Sequence, residues 1–584
     1  MGANLFFPHP GAQLETAGIS VDDELLDGWR ARIGRARAHL DWHMPGVAAR
    51  RHARGASLAL AAPSDQLFLA TEVNEWALCA TLLARDSERW SGLEAALRAQ
   101  TGEDPTSPDP VFAPALREYA AFERFSLLQA REARSDLSSL IAEAQARSLP
   151  HVLDDTTLTL GAGVGGETFE LAALPEASAV PWSELRDIPT ALVTGSNGKT
   201  TSVRLLAACA RAQGWPAAYC CTDGVFFDGA LEASGDYSGP AGARRVIRER
   251  RAQAAILETA RGGILRRGIA VSQAHVALVT NVSPDHFGEY GIDDLAGLAD
   301  VKLSVAGVVK AGGLLVLNAD DAELRLRAGA LAQRFGRPPT IGWFALDADH
   351  RILTAHRSQG GATCGVRAGR LVLHHSGAEH DLGAVAAMPL SVEGSATYNV
   401  ANLAGAALSA LALGIDPRIV AAVFARFGAE PDDNFGRLMR FERHGVRVLV
   451  DYAHNPEGLR GLLEVARHVR GGRGRLGLLL GHAGNRQDAE IEALARVAAE
   501  FHPDLIVVKE NEGHLRGREP GEIPRLIRST LLSAGFPESV LPLRMSEFEA
   551  ARFALDWAQP GDVLALPVHS AAARAEVLAF LAQK

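Results

Sequence analysis

The sequence predicts an α/β protein with two doubly wound parallel-sheet units, preceded by a mixed α+β N-terminal domain. Three observations predict it. From about 186 to 427, short apolar runs alternate with helix-like segments, the rhythm of a parallel sheet covered on both faces. After about 428 that rhythm restarts. The first apolar run of the middle region also feeds a glycine-rich turn, a lysine and then a helix, the order of a phosphate-binding loop. At roughly 100–200 residues per domain, a 584-residue chain is expected to hold several, read here as 1–185, 186–427 and 428–584.

Composition narrows the partners. Hydrophobic residues make up 47% and charged residues 22%, which excludes wholesale disorder. A net charge of −10 gives no global pull toward nucleic acid or an anionic membrane, so small molecules or peptides are the expected substrates. A homo-oligomer such as a dimer is compatible with this composition. Cys79, Cys209, Cys220, Cys221 and Cys364 form no CxxC pair, and so sparse a set fits reduced thiols in cytoplasm. The N-terminus lacks the pattern of a signal peptide, Phe6 breaks the myristoylation pattern, and no run of about 18 uncharged apolar residues predicts a membrane span.

Element by element, Glu24–Leu40 and Phe112–Leu149 carry apolar residues at helical spacing, whereas the type of Gln66–Trp76 stays undecided. Thr156–Gly161 and Thr168–Leu174 alternate like strands around Gly161-Ala-Gly-Val-Gly-Gly. No lysine or amphipathic helix follows that cluster, so it reads as a hairpin turn. Central strands are expected at Thr190–Val193, Ala254–Leu257, Val276–Thr280 and Leu314–Leu317, with an appended antiparallel flap near Arg351–Leu390. The last unit is expected to place strands at Val446–Val450, Leu476–Leu480, Leu505–Val508 and Val563–Leu566.

The phosphate loop is Gly195, Ser196, Asn197, Gly198, Lys199, Thr200 and Thr201, between an apolar strand and a helix carrying Leu205 and Leu206. Glycines let backbone N–H groups curl around a polyphosphate, the helix N-terminus favours the anion, and Lys199 reaches the outer phosphates. Thr200 stands where a hydroxyl ligates Mg²⁺. The loop is a variant, because the strict pattern needs glycine at Val193. Glu258 and His286 each follow a strand, which places both at the carboxyl edge beside the loop, as metal ligands or as a solvated strand end and a loop residue. Arg261 and Arg266, with Arg267, either hold a substrate carboxylate or lie on a solvated helix face. His454, Asn455, Asn485 and Arg486 sit on turns after strands, facing an amine substrate or serving as ordinary loop residues.

The motifs also carry a resemblance. Thr194-Gly-Ser-Asn-Gly-Lys-Thr-Thr resembles the ATP loop of the Mur ligase superfamily, and Val279-Thr-Asn-Val-Ser-Pro-Asp-His286 its metal-binding segment. Asn318-Ala-Asp-Asp321 is similar to its adenine-side motif, and Asp451-Tyr-Ala-His-Asn-Pro456 to its C-terminal signature. Within the superfamily the closer likeness is to the Mur-like part of the cyanophycin synthetase family. It rests on Thr222-Asp-Gly-Val-Phe-Phe-Asp-Gly, Gly235-Asp-Tyr-Ser-Gly-Pro, Leu257–Gly268 and Val508–Arg518. The resemblance implies a Mur-ligase-like central P-loop ATPase domain, a Rossmann-like C-terminal domain, and ATP with Mg²⁺ or Mn²⁺. It assigns Thr200 to one metal and Glu258 with His286 to a second, Asn318 to adenine, Asp451 to ribose and Arg437 to phosphate. Lys302 stands where many such enzymes carry a carbamylated lysine; a plain ion-paired lysine is the alternative.

The implied chemistry is an ADP-forming ligase joining a carboxylate to an amine through an acyl phosphate. An aspartyl side chain joined to arginine, or polymerisation of such dipeptides, is the first expectation. Alternatives are a Mur-type ligase for a folate-like or peptidoglycan-like acid, and a non-catalytic nucleotide-binding regulator. About 185 residues precede the Mur-like part, too few for the ATP-grasp unit of that family, so a single site consuming one ATP per amide bond is expected. Because Asp451 and the loop fall in different units, closure on a hinge near Phe427–Arg440 is also expected.

Overall fold

The computed structural model describes residues 2–100, 115–285, 287–484, 486–511 and 513–582. In the N-terminal region Gly55–Ala61 pairs antiparallel with both Gly11–Glu15 and Val47–His52. Helices Asp23–His39, Leu67–Arg85 and Glu118–Glu132 cover that sheet around Trp29, Ile33, Leu58, Leu69 and Phe125. The undecided segment is thus the start of a 19-residue helix. Its buried positions Leu69, Ala70, Val73, Trp76, Ala77 and Ala80 recur at three and four, a period too long to show in the window Gln66–Trp76. Among the described residues it alone is long and apolar enough to cross a membrane. Here it is a core helix, with Asn74 accepting from Trp29 Nε1 and donating to Leu58 O, each over 2.9 Å.

The segment expected to be helical over Phe112–Leu149 is broken. Residues 112–114 lie outside the described residues, and Ala133 and Arg134 are non-helical between Glu118–Glu132 and Ser135–Ala146. Asp65 holds the break open by accepting from the Arg134 backbone N–H over 2.7 Å. The glycine-rich turn joins Thr157–Leu160 to Glu167–Glu170 as an antiparallel hairpin, as read from its lack of a lysine. A Cβ on Gly163, at φ +53°, would lie 2.2 Å from Ala252 O.

The central sheet has eleven strands. Seven run parallel in the order Ala217–Cys221, Ala254–Glu258, Thr190–Thr194, Ala274–Val279, Val309–Asn318, Ile341–Asp347 and Thr363–Arg367. Antiparallel pairs extend both edges: Gly224–Phe227 with Ala230–Ser234, and Arg370–His375 with Ala378–Ala384. The expected antiparallel flap is present from Thr363 on, as an extension of the main sheet, but its first part is corrected. Arg351–Ser358 is a helix with only Leu353 buried, and the strands after it continue the main sheet through Thr363–Arg367. The helix carries too few apolar residues to announce its period.

Two apolar layers cover this sheet. One face buries helix Thr397–Leu413, whose residues are buried nearly all round, beside the phosphate-loop helix Lys199–Ala212. The last sheet has the order Met439–Arg443, Val446–Asp451, Val563–Pro567, Leu476–Leu480, Leu505–Lys509 and Leu543–Arg544, parallel except for its first strand. In the central sheet the phosphate-loop strand lies between those ending at Glu258 and Val279. All three carboxyl ends meet at one edge, where ligands of open α/β sheets bind.

Candidate active site

Strand Thr190–Thr194 is wholly buried, and the chain leaves it through two glycines that nothing else can replace. Gly195 has φ +149°, and a Cβ there would lie 1.8 Å from Thr280 Oγ1. Gly198, at φ +82°, opens helix Lys199–Ala212, and its Cβ would lie 2.2 Å from Asn402 Oδ1. Side chains brace the curve. Ser196 Oγ donates to Ser283 O and accepts from Ser283 N, each over 2.9 Å, while Asn281 Oδ1 accepts from Asn197 N over 2.9 Å. The segment after Val279, read from sequence as metal-binding, thus also shapes the phosphate loop. Lys199 Nζ donates to Gly195 O (3.1 Å) and Ser196 O (3.0 Å), arching over an N-terminus whose N–H groups favour an anion.

Glu258 ends the neighbouring strand and is 1% exposed. Its two oxygens are held separately, Oε2 by Thr200 Oγ1 over 2.8 Å and Oε1 by Thr222 Oγ1 over 3.0 Å. A buried carboxylate with two hydroxyls is a hard oxygen donor set that suits Mg²⁺ better than a soft metal. Among the described residues no three His, Cys, Asp or Glu side chains cluster as a metal site. His286, expected beside Glu258, lies outside the described residues, as does Asn485. Lys302 is 3% exposed. Burial pushes its ammonium pKa well below the usual lysine value; Lys199 adds to the shift and Asp285 opposes it.

Two adjoining cavities meet here. The smaller, of about 150 Å³, is lined by the phosphate loop from Ser196 to Thr201 and by Arg437, Asp451 and His454. The larger, of about 1210 Å³, is lined among others by Arg261, Arg266, Asp285, Lys302 and Arg486. Lys199, Thr222, Glu258, Tyr452 and His454 line both. Arg437 Nη2 is 3.5 Å from Thr200 Oγ1, its guanidinium stacked 4.4 Å from the Tyr452 ring centre. Asp451 accepts from the backbone N–H groups of Leu438 (2.6 Å) and Ala453 (2.7 Å). Burial raises its carboxyl pKa above the usual range, against the pull of Arg437 and those N–H groups. Asp285 faces Arg486 at 3.2 Å and His454 at 3.7 Å, bridging the central and last units.

Two candidate residues make structural bonds instead of lining the cavities. Asn318 lines neither cavity: its amide donates to Thr280 O (3.1 Å) and accepts from Asp320 N (2.9 Å), so its polar atoms serve the turn behind the loop. Asn455 is 2% exposed and also lines neither cavity. It caps helix Pro456–Arg470 by accepting from Gly458 N (2.8 Å) and donates to Asn197 Oδ1 (2.9 Å). It ties the two units together, in line with the loop-residue alternative. Arg261 lines the large cleft but is paired with Glu289, whereas Arg266 is exposed there.

Sequence reasoning passed over several contributors. Thr222 and Asp223 were read only as part of a likeness, and Arg204, Arg574, Asp285 and Arg54 were not singled out. Arg54, from the N-terminal hairpin, donates to Gly288 O and lines the large cleft. No local pattern could have found it, because the hairpin and residue 288 meet only in three dimensions.

A phosphate loop at the carboxyl edge of a parallel sheet, facing a second α/β unit across a polar cleft, defines a two-unit P-loop nucleotide-binding protein. Residues 193–410 match the Mur ligase middle domain, and residues 436–566 the Mur ligase glutamate ligase domain. The chain is 30% identical over 383 residues to UDP-N-acetylmuramoyl-L-alanyl-D-glutamate–2,6-diaminopimelate ligase of Alkalilimnicola ehrlichii, covering 64% of this chain and 69% of that one. It belongs to the Mur ligase family. It is 34% identical over 381 residues to cyanophycin synthetase of Trichormus variabilis, covering 65% of this chain and 41% of that protein. The chain thus matches about two fifths of the length of that relative. The solved structure of E. coli FolC in complex with ADP aligns with a TM-score of 0.48 at 17% identity, over 67% of this chain and 89% of that one.

Proposed function

We propose that this chain is an ATP-dependent, ADP-forming amide ligase that joins a carboxylate to an amine of amino-acid or short-peptide substrates. The observation that carries the reading is the cluster of Lys199, Thr200, Thr222 and Glu258 where the small cavity opens into the large one. A phosphoryl group held by the loop there borders a cleft large enough for two substrates. A carboxylate oxygen attacks the γ-phosphorus, ADP leaves, and the acyl phosphate forms. The amine nitrogen then attacks the carbonyl carbon, loses its extra proton, and the phosphate departs from the tetrahedral intermediate. The protein's share is positioning and charge stabilisation.

Lys199 and Arg437 neutralise charge on the transferred group, and Asp451 serves the nucleotide's ribose side. Thr200, Glu258 and His286 are the residues that would hold Mg²⁺ or Mn²⁺, which offsets phosphate charge when bound. Burial lowers the Lys302 pKa, which favours the neutral amine that carbamylation requires. Arg266 and Arg486 face the cleft as carboxylate-binding groups. The aspartyl side chain with arginine is the first pair to try, supported by the 34% identity over 381 residues to the cyanophycin synthetase of Trichormus variabilis.

The test is phosphate release from ATP over a panel of acid and amine pairs, with products read by mass spectrometry. Release that depends on one acid and one amine, with a product whose mass is their sum less one water, is expected. Nucleotide binding without any pair-dependent release overturns the ligase reading in favour of a nucleotide-binding regulator.

A further inference from the structure

Asp223 is the meeting point of three arginines from three separate elements. Arg204 of the phosphate-loop helix donates to Oδ2 over 2.9 Å, and Arg574 of the last helix, Ala571–Ala582, donates to Oδ1 over 3.0 Å. Arg437, from the connector between the two α/β units, lies 3.6 Å from Oδ2. All are buried: the side chains of Arg204, Arg574 and Arg437 are 6%, 4% and 14% exposed, and that of Asp223 is 12%. Burial pushes the Asp223 carboxyl up, but the three guanidiniums together hold it below its ordinary value.

One carboxylate cannot neutralise three guanidiniums. Of the three, Arg437 also faces Asp451 and Glu258, and its Nη2 lies 3.5 Å from Thr200 Oγ1 at the start of the phosphate-loop helix. Arg204 adds a second tie by donating to Phe435 O of the connector over 2.6 Å. Arg574 keeps Nε and Nη1 without acceptors among the described residues, so its place depends on the bond to Asp223 and the rings of Phe435 and Tyr452. Neighbouring Thr222 meanwhile holds Glu258. Two consecutive residues thus organise the carboxylate and the cations of one site.

We propose that Asp223 is a positioning residue that holds Arg437 and Arg574 of the C-terminal part against the phosphate loop, making closure of the units and capture of the outer phosphates one event. The proposal rests on the nucleotide-site reading above. It assigns Asp223 no contact with the nucleotide; it acts through Arg437.

The test titrates the full chain calorimetrically with a non-hydrolysable ATP analogue and with AMP, comparing wild type and Asp223→Asn. Loss of the carboxylate is expected to weaken the triphosphate analogue by roughly tenfold or more, as one charge-assisted contact is lost. AMP, which lacks the outer phosphates, is expected to change by less than about twofold on the same physical ground. In the double variant Asp223→Asn/Arg437→Lys, the loss is expected to fall well short of the sum of the single losses, because both act through one contact. An unchanged preference for the analogue over AMP, or strictly additive losses, overturns the proposal even if the variant is less heat-stable. If Asp223→Asn does not fold, Asp223→Glu keeps the charge, displaces it by one methylene, and carries the same expectation. Wild type that binds neither nucleotide overturns the nucleotide-site reading itself, an outcome distinct from a wild type that binds and a variant that binds equally.

Discussion

Asn455 Nδ2 donates to Asn197 Oδ1 over 2.9 Å, joining the cap of a helix in the last unit to the crest of the phosphate loop. The small cavity behind this tie measures about 150 Å³, below the roughly 300–1,000 Å³ of ordinary ligand pockets. A nucleotide entering it therefore needs the units to part. Asn455→Ala is expected to lose both the tie and the helix cap, costing about 1 kcal/mol of stability. It is also expected to speed nucleotide association and to enlarge the radius of gyration of the unliganded chain. Scattering profiles that superpose on those of wild type, with unchanged association rates, would remove Asn455 from the closure.

Lys199→Ala is expected to leave the fold intact and to lower ATP turnover by about 10²–10³-fold or more. In the structure the ammonium donates only to carbonyls of its own loop, and its side chain lines both cavities. Its removal breaks only bonds within the loop, so the loss read is that of the role proposed above. A circular dichroism spectrum and thermal midpoint like those of wild type, together with the rate loss, meet the expectation. Full amide synthesis by the variant sinks the phosphate-loop assignment.

Glu258→Gln keeps the shape of the side chain and removes its charge. One of the two threonine hydroxyls then faces an amide N–H₂ group instead of a carboxylate oxygen. Turnover is expected to fall by about 10²-fold or more, as expected for loss of electrostatic stabilisation. The Mg²⁺ concentration giving half-maximal rate is expected to rise. Thr222→Val, which frees one oxygen of Glu258 but keeps its charge, is expected to cost about tenfold, on the scale of one lost bond to a charged group. A Mg²⁺ titration unmoved by Glu258→Gln would detach this carboxylate from the metal.

The pH dependence of stability in the last unit follows from two buried imidazoles. Burial, with Arg486 adding to it, lowers the His482 pKa to about 3. Burial and the nearby Lys509 charge lower that of His569 to about 4, against the pull of Glu547. Both folded-state values lie below the unfolded value, so the unfolded chain binds more protons and stability falls as pH drops from about 6.5 toward 4. At pH 5 each group costs about 2 kcal/mol relative to pH 8, from a gap of roughly 1.5 units between that pH and the unfolded pKa. Denaturant midpoints measured from pH 8 to 5 are expected to fall, and His482→Gln to flatten the slope. A slope unchanged by that substitution shows that His482 already titrates normally in the folded state.

What sequence could read here was local. The strand, glycines, lysine and helix of residues 190–212 form one contiguous pattern, and steric rules fix glycine at positive φ wherever its neighbours appear. The parallel strands of both units were legible because each is a short, wholly apolar run, the mark of a strand buried on both faces. Arg351–Ser358 was misread because a helix burying one leucine shows no period. Asn318 was placed from a likeness of motif, and Asn455 from its turn after a strand. Yet an amide can satisfy a turn or a ligand with the same atoms, and only the packed neighbours decide which.

The sequence by itself determined the phosphate loop, the doubly wound units and the residue types gathered at their edge. Those depend on backbone preferences and apolar periods, which act over a few residues. Only the tertiary structure decided that Thr200 and Thr222 share Glu258, and that Arg574 reaches Asp223. It alone brought Arg54 of the N-terminal hairpin to the cleft. These partners lie from 36 to 351 residues apart in the chain. Their meeting is set by sheet order and by the packing of one unit on another, which no local pattern records.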